Sequence, residues 1–231
     1  MNTSVKLIVM NAQAELAKPN IPMAADDGLI TVKDLEAGIS VHIPVSADTN
    51  HNDSYELLID GAPTGITYTL PAQLASGQKI ALIIQSEYFP QDGYYAIGYR
   101  WTTHPGGFRA DSNPAMVRID RTAPGSALMA PIMFSQINFG DELHGRLPGY
   151  AGMERGDLIQ TLVNGKEGPV YAVKHSDHTA PPLQISLPRS LLDGILSEVM
   201  RISYYVTDRA GNRSVESQAA SLSYQSGQAP K

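Results

Sequence analysis

The chain has 231 residues, of which 42% are hydrophobic and 17% charged, with a formal net charge of −6 and no cysteine. This length fits two domains of about 100 residues each, and the composition is globular rather than disordered. The lack of cysteine excludes disulfides, thiolate metal sites and a cysteine nucleophile, and the scattered basic residues argue against a nucleic-acid or anionic-membrane surface.

Residues 1–18 show no clear pattern and read as a leader, and Pro19 and Pro22 break any helix. The apolar run Val5–Met10 is shorter than a signal-peptide core of about 7–15 residues. No stretch approaches the ~20 apolar residues of a membrane span, so a soluble chain without membrane insertion is expected.

From residue 29 the period is two. Ile39, Val41, Ile43 and Val45 alternate with Ser40, His42 and Pro44; Tyr55, Leu57 and Ile59 alternate with Glu56, Leu58 and Asp60. Ile66, Tyr68 and Leu70 form a third run, and Tyr95, Ile97, Tyr99 and Trp101 a fourth. Each puts one apolar face on a core, as half-buried antiparallel strands do. Asp60-Gly61, Ser76-Gly77, Asp92-Gly93 and Pro105-Gly106-Gly107 supply the turns between them. The second half repeats the pattern at Leu183, Ile185 and Leu187, at Ile202, Tyr204 and Val206, and at Leu222 and Tyr224. Ser190 to Val199 has room for one turn or a short helix.

The chain holds one module twice. Leu58-Ile59-Asp60-Gly61 is echoed by Leu162-Val163-Asn164-Gly165, and Ile97–Trp101 by Ile202–Val206. Asp60 and Asn164 lie 104 apart, and Tyr99 and Tyr204 lie 105 apart. A shared L-P-x-x-L-x-x-G frame begins at Leu70 and at Leu187, which lie 117 apart. That larger spacing predicts extra residues around Pro169–Pro182 in the second copy and around Ser86–Tyr94 in the first. A tandem repeat of short strands indicates two copies of one folding unit. The expected layout is a leader 1–18, a first domain 19–121, a linker 122–130, a second domain 131–225 and a tail 226–231.

No G-x-S-x-G, H-E-x-x-H, P-loop or G-x-G-x-x-G occurs. His175-Ser176-Asp177-His178 is metal-like in composition, but residues three apart in a strand face opposite sides, which favours a polar loop. Asp48, Asn50, Asn52 and Asp53 alternate oxygen side chains as the start of a calcium loop does. The sixth and twelfth loop positions hold Asp53 and Ile59 rather than Gly and Glu, which favours an Asx-rich turn. Asp120, Asp141 and Glu142 add acids near the module junction. Trp101 shares the parity of Tyr95, Ile97 and Tyr99 and reads as core. Tyr88, Phe89 and Tyr94, with His104 nearby, are the candidate surface contacts, because amphipathic rings suit binding sites.

Val206-Thr207-Asp208-Arg209-Ala210-Gly211-Asn212-Arg213-Ser214 resembles the Y-x-V-T-D-x-A-G-N-x-S signature near the end of bacterial immunoglobulin-like domains. Those domains are the repeats of large surface adhesins and related exported proteins. Ile119–Pro124 is similar to the V-D-T-T-A-P junction between such repeats, and Pro148–Asp157 to a P-Y-x-G-M-x-x-G-D segment of a related class. The second copy carries all three signatures. In the first, Trp101–Gly107 replaces the D-x-A-G-N turn and Ser46–Asp53 the G-M-x-x-G-D segment.

The resemblance implies an all-β fold of two tandem immunoglobulin-like sandwiches. It also implies a non-enzymatic adhesion, recognition or spacer module at a bacterial surface or outside the cell, a monomeric segment of a longer array that meets a protein or glycan partner. The alternative is a carbohydrate-binding module using the Tyr88–Tyr94 loop. No cofactor is expected, with Ca²⁺ as the one ion the acidic stretches suggest. Asp208, Gly211 and Asn212 have a full structural explanation as a tight turn.

Overall fold

Alternation decides the strands. In β2 (Ile39–Pro44) Ile39, Val41 and Ile43 are buried while Ser40, His42 and Pro44 face outward; in β13 (Leu183–Pro188) Leu183, Ile185 and Leu187 are buried in the same way. The computed structural model describes residues 16–45, 49–75, 77–135, 139–179, 182–195 and 197–223. They fall into two compact units, the first ending at Ile119 and the second starting at Asp120.

The first unit contains β1 (Leu29–Ile30), α1 (Val32–Ala37), β2, β3 (Ser54–Ile59), β4 (Ala62–Thr69), β5 (Lys79–Ile84), a 3₁₀ turn (Ser86–Tyr88), β6 (Gly93–Thr102), β7 (Arg109–Asp111) and β8 (Ala115–Ile119). One sheet has the order β1-β8-β6-β3-β4, with β7 also paired to β6, and the other is β2-β5. The chain passes from β2 to the larger sheet, back for β5, and across again for β6. Ile39, Val41, Ile43, Ile80 and Ile84 from one sheet meet Tyr55, Leu57, Ile97, Tyr99, Val117 and Ile119 from the other in one core. That is an immunoglobulin-like sandwich.

The second unit contains β9 (Met133–Phe134), β10 (Glu142–Leu147), β11 (Leu158–Val163), β12 (Lys166–Ala172), α2 (His175–Thr179), β13, α3 (Arg189–Asp193), β14 (Val199–Thr207) and β15 (Ala220–Ser223). Its sheets are β13-β10-β9 and β12-β11-β14-β15, and their inner faces share a core built around Leu143, Leu147, Ile159, Val163, Leu187, Ile202, Tyr204 and Val206. The helical expectation at Ser190–Val199 shrinks to α3, and Val199 already opens β14.

From β2 and β10 onward, residue pairs with the same role lie 103 to 105 apart. Asp60 and Asn164 both have positive φ (51° and 49°), each followed by a glycine at φ 78°. These are primed hairpin turns, which require that conformation at both central positions. Asp60 Oδ1 accepts from Ala96 N at 2.8 Å, and Asn164 Oδ1 accepts from Arg201 N at 2.7 Å. Ser112 Oγ accepts from Tyr99 N and Ser217 Oγ from Tyr204 N, both at 3.0 Å. Ser217→Ala therefore leaves a buried N–H without its acceptor. The expected loss is about 1–2 kcal/mol, read by hydrogen exchange of the β14 amides.

This spacing corrects the L-P-x-x-L-x-x-G equivalence. Leu70 follows β4 and donates its N–H to Asp53 O; in the second unit that role belongs to Val173, which donates to Asp157 O. Leu187 sits opposite Leu143 as Ile84 sits opposite Ile39. The frame matched the end regions of two different strands: Pro71 follows β4, and Pro188 is the last residue of β13. The expected insertions at Pro169–Pro182 and Ser86–Tyr94 disappear with it. The real difference lies earlier in the module. Asn20 bridges His42 and Met133 pairs with Arg146, so the first unit uses 22 positions between these partners and the second 13. The additional nine residues hold β1, which pairs in parallel with β8, and α1, whose N-cap Thr31 Oγ1 accepts from Asp34 N at 3.1 Å.

Of the leader reading, residues 1–15 lie outside the described residues. Leu16 packs against the first core and Ala17 O accepts from the Tyr99 hydroxyl at 2.9 Å. The stretch 122–130, read from sequence as a linker, carries contacts of the second unit. Gly125 N donates to Ala151 O, Gln218 N donates to Met129 O, and Met129 is buried. The tail 226–231 and Tyr224 lie outside the described residues.

Candidate functional site

Buried carboxylates are the strongest polar features of both units. Asp53 ends the turn before β3 and is fully buried. Its Oδ2 accepts from Asn50 N and from Trp101 Nε1, both at 2.9 Å, and its Oδ1 accepts from His104 N at 2.7 Å. One carboxylate thus ties the turn, the end of β6 and the loop that follows. Trp101 is partly buried against the core, as its parity predicts, but its ring N–H also needs an acceptor there, and Asp53 is that acceptor.

Asp157 holds the matching position in the second unit, 104 residues later. Its Oδ2 accepts from Glu154 N at 2.9 Å, as Asp53 does from Asn50, and from the Tyr150 hydroxyl at 2.8 Å. Its Oδ1 is buried without a hydrogen-bond partner among the described residues. Burial raises the Asp157 carboxyl above the ordinary carboxylate range. The Glu154 N–H and Tyr150 hydroxyl act against that, while Asp208 and Glu154 reinforce it. Burial also raises the Tyr150 hydroxyl. Asp157 closes the P-Y-x-G-M-x-x-G-D segment, where no local pattern marks it as a fastening; its spacing of 104 from Asp53 is the one signal the sequence carries.

The D-x-A-G-N segment is the tight turn expected of it. Asn212 N donates to Asp208 Oδ1 at 2.8 Å, Gly211 takes φ 95°, and Asn212 Nδ2 donates to both Asp208 Oδ2 at 2.9 Å and Asp120 O at 3.0 Å. The asparagine therefore also pins the first residue of its own unit. Asp177 of the His175–His178 stretch accepts from Lys174 N at 2.8 Å and from the Tyr171 hydroxyl at 2.6 Å, which caps the start of α2.

The proposed metal ligands are placed as parts of the fold. Asp48 lies outside the described residues. Asn50 gives its backbone N–H to Asp53, Asn52 occupies a left-handed turn at φ 66°, and Asp53 is engaged by the three donors above. Among the described residues no group of three or more His, Asp or Glu is arranged to hold a metal ion.

Phe89 corrects the surface expectation. It is 1% exposed and packs edge-to-face on Tyr95 at 5.0 Å, because the turn after β5 directs it into the core as α3 directs Leu192 in the second unit. Tyr88 is partly exposed, and its hydroxyl donates to Thr64 O at 3.2 Å. Tyr94 is 65% exposed on β6. His104 is exposed and gives its backbone N–H to Asp53.

No protein-family model matches the chain, and no curated protein does. Among solved structures the chain is similar to one described under host cell surface retention of a 1.5-MDa bacterial ice-binding adhesin, at 14% identity and TM-score 0.47 over 90% of this chain; this match spans 63% of that chain. It is also similar to the fibronectin(III)-like modules of Clostridium thermocellum CbhA, at 12% identity and TM-score 0.44 over 89% of this chain and 92% of that one. A third is the D0-D1 domain of Intimin, at 10% identity and TM-score 0.28 over 90% of this chain and 97% of that one. The fold assignment rests on the strand order itself. No helix among the described residues is long and apolar enough to cross a membrane.

Proposed function

We propose that the chain is a non-enzymatic spacer and recognition module of a bacterial surface or exported protein, working as a monomeric segment that meets a protein partner. The observation that carries this reading is the duplication of the same internal fastenings in two sandwiches. The Asp60 and Asn164 turns, the Ser112 and Ser217 latches and the Asp53 and Asp157 carboxylates all recur 104 or 105 residues apart. The organised polar groups hold strands and turns together, as a load-carrying module requires. The resemblance of Val206–Ser214 to the end of bacterial immunoglobulin-like repeats agrees with it.

Single-molecule pulling on the whole chain tests the mechanical part. Two separate unfolding steps are expected, each releasing roughly 35 nm for ~100 residues at about 3.5 Å apiece. One concerted step would reject a pair of independent spacers. Labelling of intact cells with an antibody against the chain tests the location, and labelling only after lysis would reject the surface reading.

A further inference from the structure

The two matched carboxylates are not equally provided for. Asp53 has acceptors engaged on both oxygens, by Asn50 N, Trp101 Nε1 and His104 N. Asp157 is equally buried, yet both of its donors converge on Oδ2 and Oδ1 is left bare. The difference arises in the loop after the long strand. In the first unit it turns the His104 N–H onto the carboxylate, whereas in the second the Asp208–Asn212 turn bonds to itself.

The charged groups facing Asp157 are mostly acids. Glu154 stands on its own turn and Asp208 follows β14, and both oppose a negative charge at Asp157. Arg209 brings its stem against Gly156, where an added Cβ would lie 2.9 Å from Arg209 Cδ. Tyr150 supplies the one side-chain donor, and the start of β11 and the end of β12 supply apolar packing and backbone. A buried carboxylate with an unsolvated oxygen and acidic neighbours is costly, and a proton removes that cost.

We propose that Asp157 is a proton-operated fastening of the second unit: the unit is held most tightly when this buried carboxyl is neutral, so mild acid strengthens it. The sign follows from linkage. The folded state binds this proton more strongly than the unfolded chain, whose aspartates titrate near about 3.9. Stability is therefore gained as pH falls from neutral through the folded value, and the gain is complete below the unfolded one. Asp177 and Asp111 are lowered instead, so their contributions are lost only at and below the ordinary carboxylate range. The window for Asp157 lies above about pH 4.

The test is hydrogen exchange of the full chain at pH 7 and pH 4, which spans the whole window, corrected for intrinsic rates and read at Ile202–Val206 of β14. Protection is expected to rise on acidification by up to about tenfold for each pH unit between the folded and unfolded values. Asp157→Asn, which is neutral at both pH values, should abolish the rise. An unchanged wild-type protection, or a rise that survives in the variant, overturns the proposal. Carboxyl NMR titration of the unmodified chain decides independently of whether the variant folds. A midpoint for Asp157 above about 3.9 supports the proposal, and one at or below it means that a buried water or ion completes Oδ1 and overturns it.

Discussion

Asp53→Ala is expected to unfold the first unit at far lower urea than the parent chain, with a loss of about 3–5 kcal/mol. Three N–H groups converge on this carboxylate, from Asn50, Trp101 and His104. Alanine cannot replace any of these bonds, and each donor left unsatisfied costs about 1–3 kcal/mol, summing less than additively because they share one partner. That is a large part of the 5–15 kcal/mol typical of a domain. The measurement is direct, because Trp101 is the only tryptophan and its indole is one of the three donors, so its fluorescence reports this unit. Read by circular dichroism, since it removes the fluorophore, Trp101→Phe should cost less in the Asp53→Ala background than alone, because the indole N–H has then already lost its acceptor. A loss below about 1 kcal/mol for Asp53→Ala would mean that solvent reaches these donors and that the carboxylate is not a fastening.

The strands were legible because a one-sided sheet repeats every two residues: β2 and β13 alternate cleanly, and β3, β6 and β14 keep the apolar period although Leu58, Gly98 and Ser203 are buried as well. The duplication was legible at the Asp60 and Asn164 turns, where positive φ restricts the residue choice. The shared frame at Leu70 and Leu187 misleads, because Leu70 follows β4 whereas Leu187 lies inside β13. Short elements escaped as well. α1 has six residues and β1 two, too few for a period to register. The carboxylate fastenings join Asp53 to residues 48 and 51 positions away, and no local pattern records such a pairing. Phe89 was misassigned because position in a loop says little about direction; the chain turns immediately after β5 and places the ring in the core.

Tyr204→Ala is expected to remove about 3–5 kcal/mol from the second unit, and Tyr204→Phe only about 1. Tyr204 is 1% exposed in the middle of β14 and shares the core cluster with Leu143, Leu187 and Ile202. Its hydroxyl donates to Ala130 O at 3.0 Å, as the Tyr99 hydroxyl donates to Ala17 O in the first unit. Burial pushes both hydroxyls up to about 12, so each stays a protonated donor at any ordinary pH. Truncation to alanine leaves a cavity the size of an aromatic ring, whereas phenylalanine keeps the volume and loses one bond. The ring therefore outweighs the hydroxyl in energy, and the hydroxyl ties the entering segment to the central strand. Exchange at β14 should rise sharply in Tyr204→Ala while the Trp101 urea midpoint stays where it was. A matching fall in the Trp101 midpoint would show that the sandwiches unfold as one, and the two-step pulling trace expected of a spacer would then fail with it.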